Sequence, residues 1–206
     1  MGITTHSSNE HERSWASNRK FEPELRYSED CLDLIEVRRT DDPWTFVACD
    51  NADPCESCGS LGTHIDCVII AVDGACRNNG DICASAAVGV FVGDESTFNI
   101  SMALEGTKVT SQIAELRAGI CGLKQALKIQ RSGIKGAALA QGMTEWMFRW
   151  EKNGYKTSSG KPAANLSLFK QLNELVKELN NLGVEVLFWH VPRDRNEDAD
   201  RLARAA

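Results

Sequence analysis

The run Val68-Ile69-Ile70-Ala71-Val72 ends on Asp73, and this stretch restricts the fold more than any other. Apolar residues without polar alternation read as a strand covered on both faces, so Ile65–Val72 is expected as a buried central strand. Gly74 and Asn79-Gly80 then turn the chain back. A carboxylate at the end of such a strand costs desolvation energy unless something pairs with it. A divalent cation is one such partner; an aspartate that caps its own turn is the other reading.

The segments after Asp73 fit a sheet built around that strand. Ala86–Gly93 and Thr97–Leu104 read as two further strands in an antiparallel meander. A helix is expected from about Ser111, with Ile113, Leu116, Ile120, Leu123 and Leu127 on one face and Glu115 near its positive end. A helix around Met143–Glu151 and a basic loop at Lys152–Lys161 follow. Next come a helix from Leu166 closed by Asn181-Leu182-Gly183, a strand Val184–His190, and a last helix Asn196–Ala206 carrying Asp200. This order predicts an α/β fold, a mixed sheet with helices on its faces.

Charge divides the chain. Residues 1–64 hold 6 Lys/Arg against 13 Asp/Glu, and read as an acidic N-terminal extension, disordered to about residue 20 and then loop-rich, with short strands at Leu32–Val37 and Trp44–Ala48. Residues 65–206 form the second domain. Within 118–170, Lys124, Lys128, Arg131, Lys135, Arg149, Lys152, Lys156, Lys161 and Lys170 face only Glu145 and Glu151, and Trp146, Trp150 and Tyr155 lie among them. Cations interleaved with aromatics suit a nucleic-acid backbone, although a solvated helical face has the same composition. No apolar run is long enough to span a membrane and no secretory signal is visible, so an intracellular protein of nucleus or cytoplasm, a monomer, is expected. In that setting the 8 cysteines read as reduced thiols. Cys55-Glu56-Ser57-Cys58 has the spacing of half a zinc knuckle, with Cys49, His64 and Cys67 nearby, but a second well-spaced pair is missing.

Four motifs in order resemble a eukaryotic, fungal-like ribonuclease H of type 1 from about Ile65 to Ala206. They are Asp73-Gly74-Ala75-Cys76 with Asn79-Gly80; Thr110-Ser111-Gln112-Ile113-Ala114-Glu115-Leu116-Arg117-Ala118; Gly142-Met143-Thr144-Glu145-Trp146 with Trp150 and Asn153 to Lys161; and Trp189-His190-Val191-Pro192 with Asn196 to Ala203. The resemblance implies a metal-dependent endonuclease that hydrolyses the RNA strand of RNA/DNA hybrids. It implies Asp73, Glu115 and Asp200 as catalytic and metal-binding acids, with two magnesium ions. Contacts to the RNA strand fall on Asn79 and Gln112, a DNA-phosphate pocket on Thr110 and Asn165, and a basic protrusion on Trp150, Lys152, Tyr155, Lys156 and Lys161. Asn79 as a turn residue and Asn165 as a helix N-cap are the plainer readings, and both are compatible with the role.

The chain departs from the family in two places. The interval Lys128–Gln141 contains no acidic residue, and the position of the family's third metal-binding aspartate, counted back from Gly142, falls on Lys135. The central strand that carries this acid is therefore expected to be missing or degraded, its place empty or taken by Val184–His190, and activity impaired. The family's histidine loop is reduced to Arg193-Asp194-Arg195, and His190 reads as a structural strand residue. Three functions stay open: the hybrid-directed nuclease, an RNase H-like module that binds hybrids and cleaves poorly, and a zinc-stabilised interaction protein.

Overall fold

The computed structural model describes residues 19–40, 42–79, 81, 83–106, 109–133, 138–141, 156, 160–161 and 164–206. Its centre is β3 (Thr63–Arg77), a 15-residue strand. β3 pairs antiparallel with β4 (Ser85–Phe91) along Ala71–Arg77, and β4 pairs antiparallel with β5 (Ile100–Leu104). The N-terminal half of β3 takes β2 (Thr45–Ala48), which in turn pairs with β1 (Glu36–Arg38).

The expected gap beside the central strand is not there. β6 (Ala138–Gln141) pairs parallel with β3 through Val68↔Ala138 to Ala71↔Gln141, and on its other side parallel with β7 (Val186–Trp189). The core sheet thus runs β5-β4-β3-β6-β7, five strands in mixed order. The first helix, α1 (Ser111–Arg131), takes up the start of the interval Lys128–Gln141, and the strand occupies its last four residues. Gly133, at φ +100°, then ends that helical run. A strand held between two parallel neighbours is secured by its backbone ladder, so a run as plain as Ala-Leu-Ala-Gln suffices. Lys135 lies outside the described residues.

Alternation along β3 sorts the two faces of the sheet. Val68, Ile70 and Val72 pack with Leu116, Ile120, Leu123 and Leu127 of α1 and with Leu172, Val176 and Leu179 of α2 (Leu166–Asn181). Ile69 faces the other way, into a layer with Phe21, Ile35, Val47, Leu187 and Trp189, and Ala71 packs with Phe91 and Ala199 of α3 (Glu197–Arg204). Both faces are buried, as the unbroken apolar run requires. Residues 21–48 are therefore more than loop: they form 3-10 turns at Pro23–Leu25 and Glu29–Leu34 and two strands of the same sheet. Even Lys20 bridges to Phe188 beside β7. Residues 1–18, and the helix expected at Met143–Glu151, lie outside the described residues.

Candidate active site

Asp73 belongs to the stretch of β3 that pairs with β4, and the residue after it explains how a helix comes so near. A Cβ on Gly74 would lie 2.3 Å from the backbone of Ala114 and Glu115, so the first turns of α1 rest directly on the strand. Thr110 caps that helix, its side chain accepting the Ile113 N–H at 3.2 Å. Glu115 is thereby held at the mouth of a cleft of about 640 Å³ that Asp73, Ser111, His190, Arg193 and Arg204 also line.

α3 brings the third acid. A Cβ on Gly89 would meet the Ala199 carbonyl oxygen at 2.0 Å, so this helix lies against bare backbone of β4. Its entry is tied to β3 by Asn196, whose buried side-chain amide donates to the Val72 carbonyl at 2.9 Å, one residue before Asp73. Asp200 then points back towards Asp73, between Arg204 Nε at 2.7 Å and Arg193 at 3.5 Å.

The electrostatics follow from this crowding. Burial raises the Asp73 carboxyl above its ordinary range and the Asp200 charge raises it further, with Arg193 and Arg204 opposing. Glu115 opens to solvent, yet partial desolvation and then the Asp73 charge push its carboxyl up as well. Asp73 Oδ2 and Asp200 Oδ1 are buried and accept no hydrogen bond. The buried, unbonded oxygen of Asp73, the neighbouring Asp200 carboxylate and the exposed Glu115 carboxylate are together of the kind that suits a hard divalent cation. β6, the remaining strand beside β3, supplies no acid: Gln141 pairs with Ala71.

The polar residues expected to touch nucleic acid divide into two groups. Asn79, Thr110, Gln112 and Asn165 gather at the N-terminus of α1: Asn79 Oδ1 accepts the Ser111 N–H at 2.9 Å, and Asn165 donates its side-chain amide to Gln112 Oε1 at 2.9 Å. Asn165 occupies the N-cap position of α2 in the left-handed region (φ 64°) but makes no capping bond, so its side chain is committed across to Gln112. In the second group, Lys156 and Lys161 are exposed, while Trp150, Lys152 and Tyr155 lie outside the described residues. His190 is corrected: β7 ends at Trp189, and the exposed imidazole lines the cleft. Sequence reading named Asn196 and Arg193 only within the closing motif and the shortened loop, gave them no role at the site, and did not single out Arg204. Their only signal was proximity to Asp200, which the spacing from Asp200 to Arg204 shares with any helical ion pair.

Comparison with known proteins fits this arrangement. The profile of the RNase H family matches residues 66–206. The chain is 34% identical over 145 residues to Ribonuclease H1 of Mus musculus, covering 66% of this chain and 49% of that protein. It is 32% identical over 142 residues to Ribonuclease H of Escherichia coli, covering 68% and 88%. The chain spans about half the length of the mammalian relatives it matches. Among solved structures, an RNase H1 isolated from compost superposes with a TM-score of 0.52 at 23% identity, over 67% of this chain and 93% of that one, a likeness of fold. Among the described residues no helix is long and apolar enough to cross a membrane.

Proposed function

The chain belongs to the RNase H family, and from that premise we propose that it hydrolyses the RNA strand of RNA/DNA hybrids at the cleft of Asp73, Glu115 and Asp200. The observation that carries this reading is the crowding of those acids around Asp73, inside the central strand: burial and then Asp200 raise Asp73, and burial and then Asp73 raise Glu115. Asp73, Glu115 and Asp200 are the residues that would hold magnesium, by their carboxylates. When bound, a pair of such ions supplies an ionised water near neutral pH and neutralises charge on the leaving oxygen.

The chain's own residues do the rest. Asn79 and Gln112, at the capped end of α1, offer amide groups to the RNA strand and its 2′-hydroxyls, which distinguish RNA from DNA. Thr110 and Asn165 present polar groups for a DNA phosphate at the same helix end, where the backbone N–H groups favour an anion. Lys156 and Lys161 add charge for the duplex backbone. Arg193 and Arg204 hold Asp200 in place.

Because β6 brings no carboxylate, one anionic ligand of the family's site is lacking and the rate is reduced. Unit charges about 4 Å apart at an effective dielectric near 20 interact by roughly 4 kcal/mol, and about 1.4 kcal/mol is a decade in rate. The test is cleavage of an RNA/DNA hybrid in magnesium, with RNA and DNA duplexes as controls. Slow hybrid-selective cleavage, abolished by Asp73→Asn and raised by Gln141→Asp, is expected. Equal cleavage of the DNA duplex overturns the proposal. The acid-free β6 favours a second reading, a hybrid-binding module, which is selected if hybrid is retained but never cut.

A further inference from the structure

The connection from β2 to β3 has little to hold it in place. From Asn51 to Ser60 only Ala52 is even partly buried, so no apolar core fixes this run. The side chains at its two ends nonetheless converge. Ala48 pairs with Thr63 and the Cys49 N–H donates to the Gly62 carbonyl at 2.6 Å, which closes the base. At that base one ligand atom each of Cys49, Asp50 and His64 lie within 4.8 Å of one another. His64 Nε2 stands 4.0 Å from Asp50 Oδ1, a longer separation than a hydrogen bond, and the two side chains must draw together to share one cation.

The middle of the same connection carries a second, independent arrangement. Cys55 to Ser60 fold into a tight turn, with the Cys55 N–H donating to the Ser60 carbonyl at 2.9 Å and the Gly59 N–H to the Cys55 carbonyl at 2.7 Å. Gly59 sits at φ +72° with open space around it. All 8 cysteines are free.

We infer that this connection is a site for a zinc-class cation, bound by Cys49 Sγ, the Asp50 carboxylate and His64. Sulfur, nitrogen and oxygen donors together match zinc rather than magnesium. Cys49 and His64 lie apart in the chain and meet only because β2 and β3 close the hairpin. The inference is independent of the carboxylate cleft.

The test uses the full chain, reduced, stripped of metal and titrated with Co²⁺ alone. One equivalent with a thiolate-to-cobalt charge-transfer band, displaced by Zn²⁺, is expected. Cys49→Ser and His64→Asn should each weaken binding by about tenfold or more, as should the exposed change Asp50→Asn, which leaves the core untouched. Changing Cys55 and Cys58 together to Ser should leave the band close to that of the parent chain; its loss in that variant would move the thiolate to the exposed turn and overturn the inference. Zn²⁺ should raise the melting temperature of the parent chain and not of the Cys49→Ser, His64→Asn double variant. A chain that shows no thiolate band, or a band that survives in that double variant, overturns the inference.

Discussion

Removing the charge of Asp73 should make the metal-free protein harder to unfold while stopping hydrolysis. Its carboxyl is raised in the folded state, so the native protein binds more protons than the unfolded chain between the ordinary and the raised pKa. Stability therefore falls as pH climbs through that window. Asp73→Asn should melt above the parent near neutral pH, with the gap closing once pH drops below the ordinary carboxylate range. Magnesium should reverse the order by stabilising only the parent. Melts across pH, with and without the ion, read this out; an Asn variant that melts lower without metal would show that the acids are not crowded. Asn196 acts on the same site from a distance, through its bond to the Val72 carbonyl. Asn196→Ala leaves that buried carbonyl short of a partner, and should cost about 1–3 kcal/mol in denaturant unfolding. It should also weaken magnesium binding as Asp200 loses its anchor, which loss of stability alone would not do.

At the level of elements, bare backbone decides what meets. Gly74 under α1 and Gly89 under α3 let the two acid-bearing helices sit against the sheet. Gly74→Ala should force α1 outward at an overpacking cost of about 1–3 kcal/mol or more. Urea unfolding measures that cost, and cleavage should fall with it because Glu115 moves. The central run with Asp73, the meander and the two long helices were legible, because unbroken or periodic apolar patterns report burial directly. β6 was not legible. Ala138, Leu139 and Ala140 carry almost no strand preference of their own, and the backbones of β3 and β7 supply the reason for pairing. Asp73 stood out by its place after the apolar run, whereas Glu115 and Asp200 were nameable as acids of one site only by their motifs. That Asn165 would turn from its own helix to Gln112 had no sequence signal, since an N-cap and a cross-link look alike in the chain.

Across the whole molecule, charge and burial are separated by region. The exposed Lys156 and Lys161 belong to the basic stretch of an otherwise acidic protein with net charge −6. Changing both to Ala should weaken hybrid binding and lower the salt slope by roughly 1 for each phosphate that is no longer neutralised. Titrations at several salt concentrations give the slope; an unchanged slope would remove these lysines from the duplex interface. On the far face, Phe21 and Ile35 cover Ile69, Leu187 and Trp189.

The pairing of Arg19 and Phe21 with Phe188 joins parts of the chain made far apart in time. At a synthesis rate of roughly 5–20 residues per second, about ten to thirty seconds separate the emergence of these partners from the ribosome. Throughout that interval Phe21 has no β7 to lie against. The aromatic seam of Phe21 and Trp189 therefore closes late relative to the contacts of β3 with β4. A chain released before Phe188 would keep an open strand edge beside exposed apolar side chains, the surface on which unfinished chains find each other.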